Sequence, residues 1–179
     1  MVAIGITGRR YSGKTLAAEW LQKTYGFRLL DFTQDVLAPR LKRQGKRVTR
    51  KNLIELACRL RERYGRDILA RMLVRKARGD RIVISGIRFP EEVQVFRKRW
   101  QDFLLIAILA PAKLRWRRAG EIRKGEGSLS FRQFLKIESA ETERHIPQLI
   151  RMADFRIRND GSKEELYRKL DKIVKPYLK

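Results

Sequence analysis

Short apolar runs alternate with stretches of helical periodicity from one end of the chain to the other. Val2–Thr7 is apolar and rich in β-branched residues, and it breaks at Gly8. Thr15–Tyr25 then places Leu16, Ala17, Trp20 and Leu21 on one side of a helix. The strand pattern returns at Phe27–Phe32, Arg81–Ser85, Phe103–Leu109 and Asp154–Arg158. Between these runs the spacing predicts helices over Leu37–Leu41, Leu53–Leu60 (with Thr49 as its cap), Ile68–Val74 and Leu114–Ile122. Another starts at Pro90, where Glu91 and Glu92 suit a first helical turn, and the rest cover Phe131–Arg144, Pro147–Met152 and Ser162–Leu178. Apolar strands separated by helices need crossover connections and cover on both faces. The prediction is therefore α/β: a three-layer sandwich on a five-stranded parallel sheet. No repeat or Pro/Gly/Ser linker divides the chain, so residues 1–179 are read as one domain.

Composition narrows the partners. The chain has 179 residues, 43% of them hydrophobic, which is enough for a folded core. Its 43 Lys and Arg against 20 Asp and Glu give a net charge of +23. Such an excess favours polyanions: nucleotide phosphates, RNA, DNA or an anionic surface. A single cysteine, Cys58, excludes an internal disulfide and a multi-thiolate metal site, and a single histidine, His145, argues against a His-based zinc site. The longest apolar run, Phe103 to Pro111, is about half of a membrane span. With no basic n-region at the start, the expectation is a cytoplasmic protein with no membrane partner. Cys58 is expected in the core, Arg115 and Arg117 on a solvated helix face, and His145 at a helix terminus.

The first strand-to-helix junction reads Gly8-Arg9-Arg10-Tyr11-Ser12-Gly13-Lys14-Thr15, which satisfies G-x-x-x-x-G-K-[ST]. The glycines allow backbone conformations that turn successive N–H groups inward, and the following helix adds its positive end. Lys14 would reach the terminal phosphates, and the Thr15 hydroxyl would ligate Mg²⁺. This pattern establishes a nucleotide-binding expectation, with ATP and Mg²⁺ as cofactors. It does not name the reaction. No N-K-x-D candidate is present, which argues against a guanine-reading switch.

From Val2 to about Leu170 the motifs, in order, resemble those of the P-loop nucleoside monophosphate kinases, and within them the small archaeal-type adenylate kinase-related proteins. The resemblance implies an acceptor-binding helical segment at about 33–78 and a lid at about 119–144. It places a family aspartate at Asp35, with Asp31 as a rival, and an acceptor-facing arginine at Arg61 in Leu60-Arg61-Glu62-Arg63-Tyr64-Gly65. Ser85-Gly86-Ile87-Arg88 matches D-G-x-R, so Arg88 would also clamp the acceptor, with Glu92 at the family spacing. Arg118 matches the adenine-stacking arginine, Arg123 lies where the lid begins, and Glu138 and Glu141 match an acidic pair after it. Asn159 and Gly161 fall in the loop that lies against the donor base. The resemblance thus implies Lys14, Arg118, Arg123 and Asp35 as catalytic, Gly8 to Thr15 with Arg118, Asn159 and Gly161 as donor-binding, and Asp35, Arg61, Arg88 and Glu92 as acceptor-binding.

One departure stands out: Ser85 occupies the position where the family has an aspartate that helps to hold Mg²⁺ through water. The expected function is transfer of the ATP γ-phosphate to a small phosphorylated acceptor such as a nucleoside monophosphate, or to the ribose hydroxyl of dephospho-CoA. If the acceptor is a hydroxyl, Asp35 or Asp31 would be a general base. The rival expectation, carried by the +23 charge and Ser85, is a nucleic-acid-associated P-loop ATPase with vestigial kinase activity.

Overall fold

The computed structural model describes residues 1–122, 129–138 and 141–178. The five apolar runs form one sheet in the order β2-β3-β1-β4-β5, from β1 (Val2–Thr7), β2 (Arg28–Asp31), β3 (Arg81–Ser85), β4 (Phe103–Leu109) and β5 (Phe155–Arg158). Every neighbouring pair is parallel, with Gly5 of β1 beside Ile84 of β3 and Leu105 of β4.

Alternation along the strands sends side chains to two cores. Ala3, Ile82, Ile84, Phe103, Leu105 and Ala107 face one side. Ile4, Ile6, Val83, Ile106 and Ile108 face the other. The first face is covered by α2 (Ala38–Arg43), α3 (Arg50–Tyr64), α4 (Ile68–Val74), α5 (Pro90–Arg99) and α9 (Ile146–Met152). The second is covered by α1 (Lys14–Tyr25) and α10 (Lys163–Val174). The remaining described helices, α6 (Ala112–Ile122), α7 (Phe131–Glu138) and α8 (Glu141–Arg144), lie between β4 and α9 in the chain.

Several boundaries differ from the sequence expectation, each for a local reason. The chain turns helical straight after β2, as a π-helical stretch over Phe32–Leu37, because Asp31 caps it: its Oδ1 accepts from the N–H groups of Thr33 and Gln34 at 2.8 Å. Of the helix expected over Phe131–Arg144, residues 131–138 and 141–144 are described and are helical, as α7 and α8. The last α-helix ends at Val174 and passes into a 3₁₀ turn over Lys175–Tyr177, where Pro176 supplies no N–H. Thr49 caps α3 as expected, its Oγ1 accepting from the N–H of Asn52 at 3.2 Å.

Because all five strands are parallel, their carboxyl ends share one edge of the sheet, and Thr7, Asp31, Ser85, Leu109 and Arg158 stand along it. The core beneath that edge centres on Phe96, which is fully buried and lies within ring contact of Phe32, Trp100 and Phe103. Replacing Phe96 with Ala is expected to cost about 3–5 kcal/mol, since aromatic packing is lost and a cavity remains. A urea-unfolding midpoint within about 1 kcal/mol of the parent's stability would contradict that assignment.

Candidate phosphate and nucleotide site

The segment Gly8–Gly13 leaves β1 and enters α1 through backbone that only particular residues tolerate. Gly8 has φ 141 and Gly13 φ 104. A Cβ on Gly8 would strike the Ile108 carbonyl, and one on Gly13 the Asn159 amide, so both conformation and space require glycine. Tyr11 adopts φ 59 without being glycine, and its ring lies 6.1 Å from that of Phe134. The loop is braced from the far side of the sheet: Asn159 Nδ2 donates to the Ser12 carbonyl at 2.7 Å, and Arg118 Nη2 donates to the Asn159 carbonyl at 3.1 Å.

Above this edge opens a cavity of about 1050 Å³. Arg10, Tyr11, Gly13, Lys14 and Thr15 line one end, with Arg118, Asn159, Gly161, Ser162 and Lys163 beside them. Arg61, Arg88, Asp31, Ser85 and one face of α3 line the rest, Arg88 meeting the first group through the Glu143 that it shares with Arg10. Gly8, Arg9 and Ser12 do not line it. They shape the loop, Ser12 fully buried and the Arg9 carbonyl accepting from Lys14 Nζ at 2.8 Å. Arg123, expected at the start of the lid, lies outside the described residues.

Positive charge is buried here. Burial drives the Lys14 pKa down to about 7; the Arg88, Arg10 and Arg115 cations push the same way, and Glu143 opposes them. The Glu143 side chain is inaccessible to solvent and receives Arg88 Nη1, with Arg10 Nε at 3.5 Å. Its Oε2 is buried without a hydrogen-bond partner. One carboxylate thus sits among three cations at the phosphate end. A second, Glu92, is fully buried: its Oε1 accepts from Arg61 Nη2 at 3.2 Å, and its Oε2 from the N–H groups of Arg88 at 2.9 Å and Phe89 at 3.2 Å. Burial raises the Glu92 pKa, while Arg61 and these N–H groups favour its charged form. The Arg61 guanidinium also lies 4.5 Å from the centre of the Phe89 ring.

Four expectations change. Asp35 does not reach the cavity, because the π-helical stretch turns its Oδ2 back to accept from the Asp31 N–H at 2.8 Å. Asp31 lines the cavity instead. Glu92, expected at the acceptor, is sealed beneath it and orients Arg61 and the Arg88 backbone. Arg115, expected in solvent, is 4% exposed and paired with Glu138, while its Nε donates to the Ala110 carbonyl at 2.9 Å. Cys58, expected in the core, is exposed and lines the cavity, because that face of α3 looks into the cleft. Glu143, Ser162 and Lys163 escaped the sequence reading. For Ser162 and Lys163 the signal was the capped start of α10, where the Ser162 hydroxyl accepts from the Glu165 N–H at 3.2 Å. For Glu143, on the short helix α8, no local signal set it apart from Glu141.

The donor set fits Mg²⁺ bound chiefly through phosphate oxygens. The Thr15 side chain is exposed at the cavity, and Asp31 lies beside Ser85 in the β2–β3 register. Among the described residues no cluster of three or more acidic, His or Cys side chains forms a separate metal cage.

The fold is that of the P-loop kinases. Shikimate kinase from Bacteroides thetaiotaomicron superposes with a TM-score of 0.65 at 16% identity, covering 98% of each chain. A gluconokinase from Sinorhizobium meliloti gives 0.56 at 12% identity, over 98% of this chain and 95% of that one. Within that fold the chain belongs to the UPF0200 family. It is 31% identical over 166 residues to a UPF0200 protein of Methanothermobacter thermautotrophicus, covering 90% of this chain and 83% of the relative. It is also 31% identical over 178 residues to one from Saccharolobus solfataricus, covering 97% of this chain and 93% of the relative. No protein-family profile matches the chain.

The pKa of Lys14 makes phosphate binding pH-dependent. A bound polyphosphate favours the charged lysine, so above about pH 7 binding takes up a proton and affinity falls, by up to about tenfold per pH unit until the bound-state pKa is reached. Calorimetry of ADP binding at pH 8 in buffers of different ionisation enthalpy is expected to show that uptake, and Lys14→Gln to abolish it. Equal proton counts in the two proteins would refute the assignment. Glu143→Gln removes the buried anion from this cluster, so ADP is expected to bind severalfold more tightly. Weaker binding would instead mean that Glu143 serves to aim Arg10 and Arg88.

Proposed function

We propose that the protein is an ATP-dependent phosphotransferase that moves the γ-phosphate to a small phosphorylated acceptor, of the kind used by nucleoside monophosphate and adenylate kinase-related enzymes. The observation that carries this reading is one continuous cavity joining the Gly8–Thr15 loop to the paired arginines Arg61 and Arg88. Gly8–Thr15 with Arg118, Asn159 and Gly161 hold the donor. The inward N–H groups and the start of α1 bind its phosphates, and Asn159 keeps the loop in shape. Lys14 and Arg118, with Arg123, stabilise charge on the transferred group, whose three equatorial oxygens need positive charge and alignment more than covalent help. Thr15 and the phosphate oxygens would hold Mg²⁺, which when bound would neutralise more of that charge. Arg61 and Arg88 present planar guanidinium groups to the acceptor's phosphate.

A second acceptor chemistry has its own support. Asp31 lines the cavity with Oδ1 held by Thr33 and Gln34, while Oδ2 has no hydrogen bond among the described residues. A phosphate acceptor at neutral pH has no proton to give up, so a carboxylate kept there suits a hydroxyl, as in dephospho-CoA.

The test is transfer from ATP·Mg²⁺ across AMP, CMP, UMP, GMP, their deoxy forms and dephospho-CoA. At least one acceptor is expected to be phosphorylated, and Lys14→Ala to lose on the order of a hundredfold or more in rate. Hydrolysis of ATP without acceptor product, or full activity in Lys14→Ala, would sink the reading.

A further inference from the structure

The acceptor end of the cavity does not close behind one small molecule. Its wall is a face of α3 carrying Arg50, Leu53, Ile54, Ala57, Cys58 and Arg61, the spacing of neighbours along one side of a helix. From Arg61 at the inner end to Arg50 at the outer is about 16 Å at ~1.5 Å per residue. The outer end is open: Arg50 is exposed and Ile54 is 49% exposed. Just beyond it Lys46 and Arg47 are exposed as well, and the Asn52 side-chain amide donates to the Arg47 carbonyl at 2.7 Å, which ties that segment to α3.

The charge of this mouth exceeds even the rest of this basic chain. Between Arg40 and Arg66 the sequence has eleven Lys and Arg against two acids, Glu55 and Glu62. Lys46, Arg47 and Arg50 have no ion pair among the described residues. Val48, 42% exposed, and Ile54 stand among them. A row of cations without ion pairs among the described residues, with exposed Val48 and Ile54 beside them, complements a partner that repeats phosphates along one flexible chain, which is a single nucleic-acid strand. At ~3.4 Å per stacked nucleotide, the α3 wall is longer than one nucleotide needs.

We infer that the acceptor is the end of a single nucleic-acid strand, whose terminal ribose hydroxyl faces Asp31 and whose remaining nucleotides leave along α3 past Arg50, Arg47 and Lys46. This rests on the phosphotransferase reading and replaces its small phosphorylated acceptor with the end of a strand. In the step, the hydroxyl oxygen bonds to the γ-phosphorus, and the bond from that phosphorus to the oxygen bridging it to ADP breaks. The hydroxyl proton passes to the Asp31 carboxylate. Arg61 and Arg88 hold the first internucleotide phosphate.

The experiment offers labelled ATP·Mg²⁺ to the full chain with nucleoside monophosphates, or with a single-stranded RNA or DNA of about ten nucleotides, a length within the range such grooves engage. Copies phosphorylated at the 5′ or the 3′ end show which hydroxyl reacts. The strand is expected to exceed any mononucleotide at least tenfold in kcat/KM. For about four phosphate contacts its affinity should fall on the order of fiftyfold between 50 and 200 mM salt. Lys46→Glu combined with Arg47→Glu, which leaves every cavity-lining residue in place, should lower strand phosphorylation at least tenfold with ATP affinity unchanged. A mononucleotide or dephospho-CoA used as well as the strand, or strand phosphorylation indifferent to the double substitution, overturns this inference and leaves the phosphotransferase reading standing. No labelled acceptor of any kind, with ATP bound, overturns both.

Discussion

Burying positive charge is the constraint around which this site is built. Lys14, Arg10 and Arg88 meet at the carboxyl edge of the sheet, at the positive end of α1, where each raises the cost of the others. Such a cluster survives without a ligand only if it has counter-charge, and in a chain with 43 cations and 20 anions carboxylates are scarce. Three of them are nonetheless fully or almost fully buried here: Glu143 against Arg88 and Arg10, Glu92 against Arg61, and Glu138 against Arg115. Buried pairs of this kind seldom add net stability, because desolvation offsets the attraction. Where such a carboxylate also accepts from backbone N–H groups, what it provides is fixed guanidinium geometry. Glu92 shows it most directly, joining Arg61 of α3 to the backbone of Arg88 across two elements.

The sheet makes the convergence possible. In a parallel sheet every strand delivers its carboxyl end to the same edge, so residues far apart in sequence arrive together without any special contact. Thr7 leads into the phosphate loop, Asp31 and Ser85 stand side by side in register, and Asn159 comes off β5 to hold the Ser12 carbonyl. The two cores beneath are independent of this chemistry. Alternation alone divides Ile82 and Ile84 from Val83, and Leu105 from Ile106, between opposite faces. Loop geometry is therefore carried by a framework that does not depend on the ligand.

That division also explains what could be read from sequence. The strands and the phosphate loop rest on local signals, apolar runs of period two and a fixed glycine spacing, and these lie where the pattern puts them. Arg61 and Arg88, which the family resemblance assigned to the acceptor, line the cavity. Asp35, Glu92, Arg115 and Cys58 went elsewhere, because their placement depends on helix phase and on partners far along the chain. A π-helical stretch rotates Asp35 back toward Asp31, and the phase of α3 sends Cys58 to the cleft and Leu60 to the core. Glu143 is separated by 55 residues from the arginine it meets, and no periodicity encodes that meeting.

The departure at Ser85 acquires a structural meaning from the same register. Ser85 and Asp31 are paired across β2 and β3, so a carboxylate absent from the end of one strand has a neighbour on the next, at the ~4.8 Å spacing of adjacent strands. That neighbour is already half engaged, since its Oδ1 accepts the N–H groups of Thr33 and Gln34 and starts the helical stretch after β2. One oxygen is left for the cavity. A single oxygen can steady a metal-bound water or take a proton from an acceptor, but it cannot serve both demands at once. Phosphotransfer at such a site would therefore gain most from an acceptor whose own charges were met elsewhere, by Arg61, Arg88 and the basic approach along α3, which would leave the one free oxygen of Asp31 to a reacting hydroxyl.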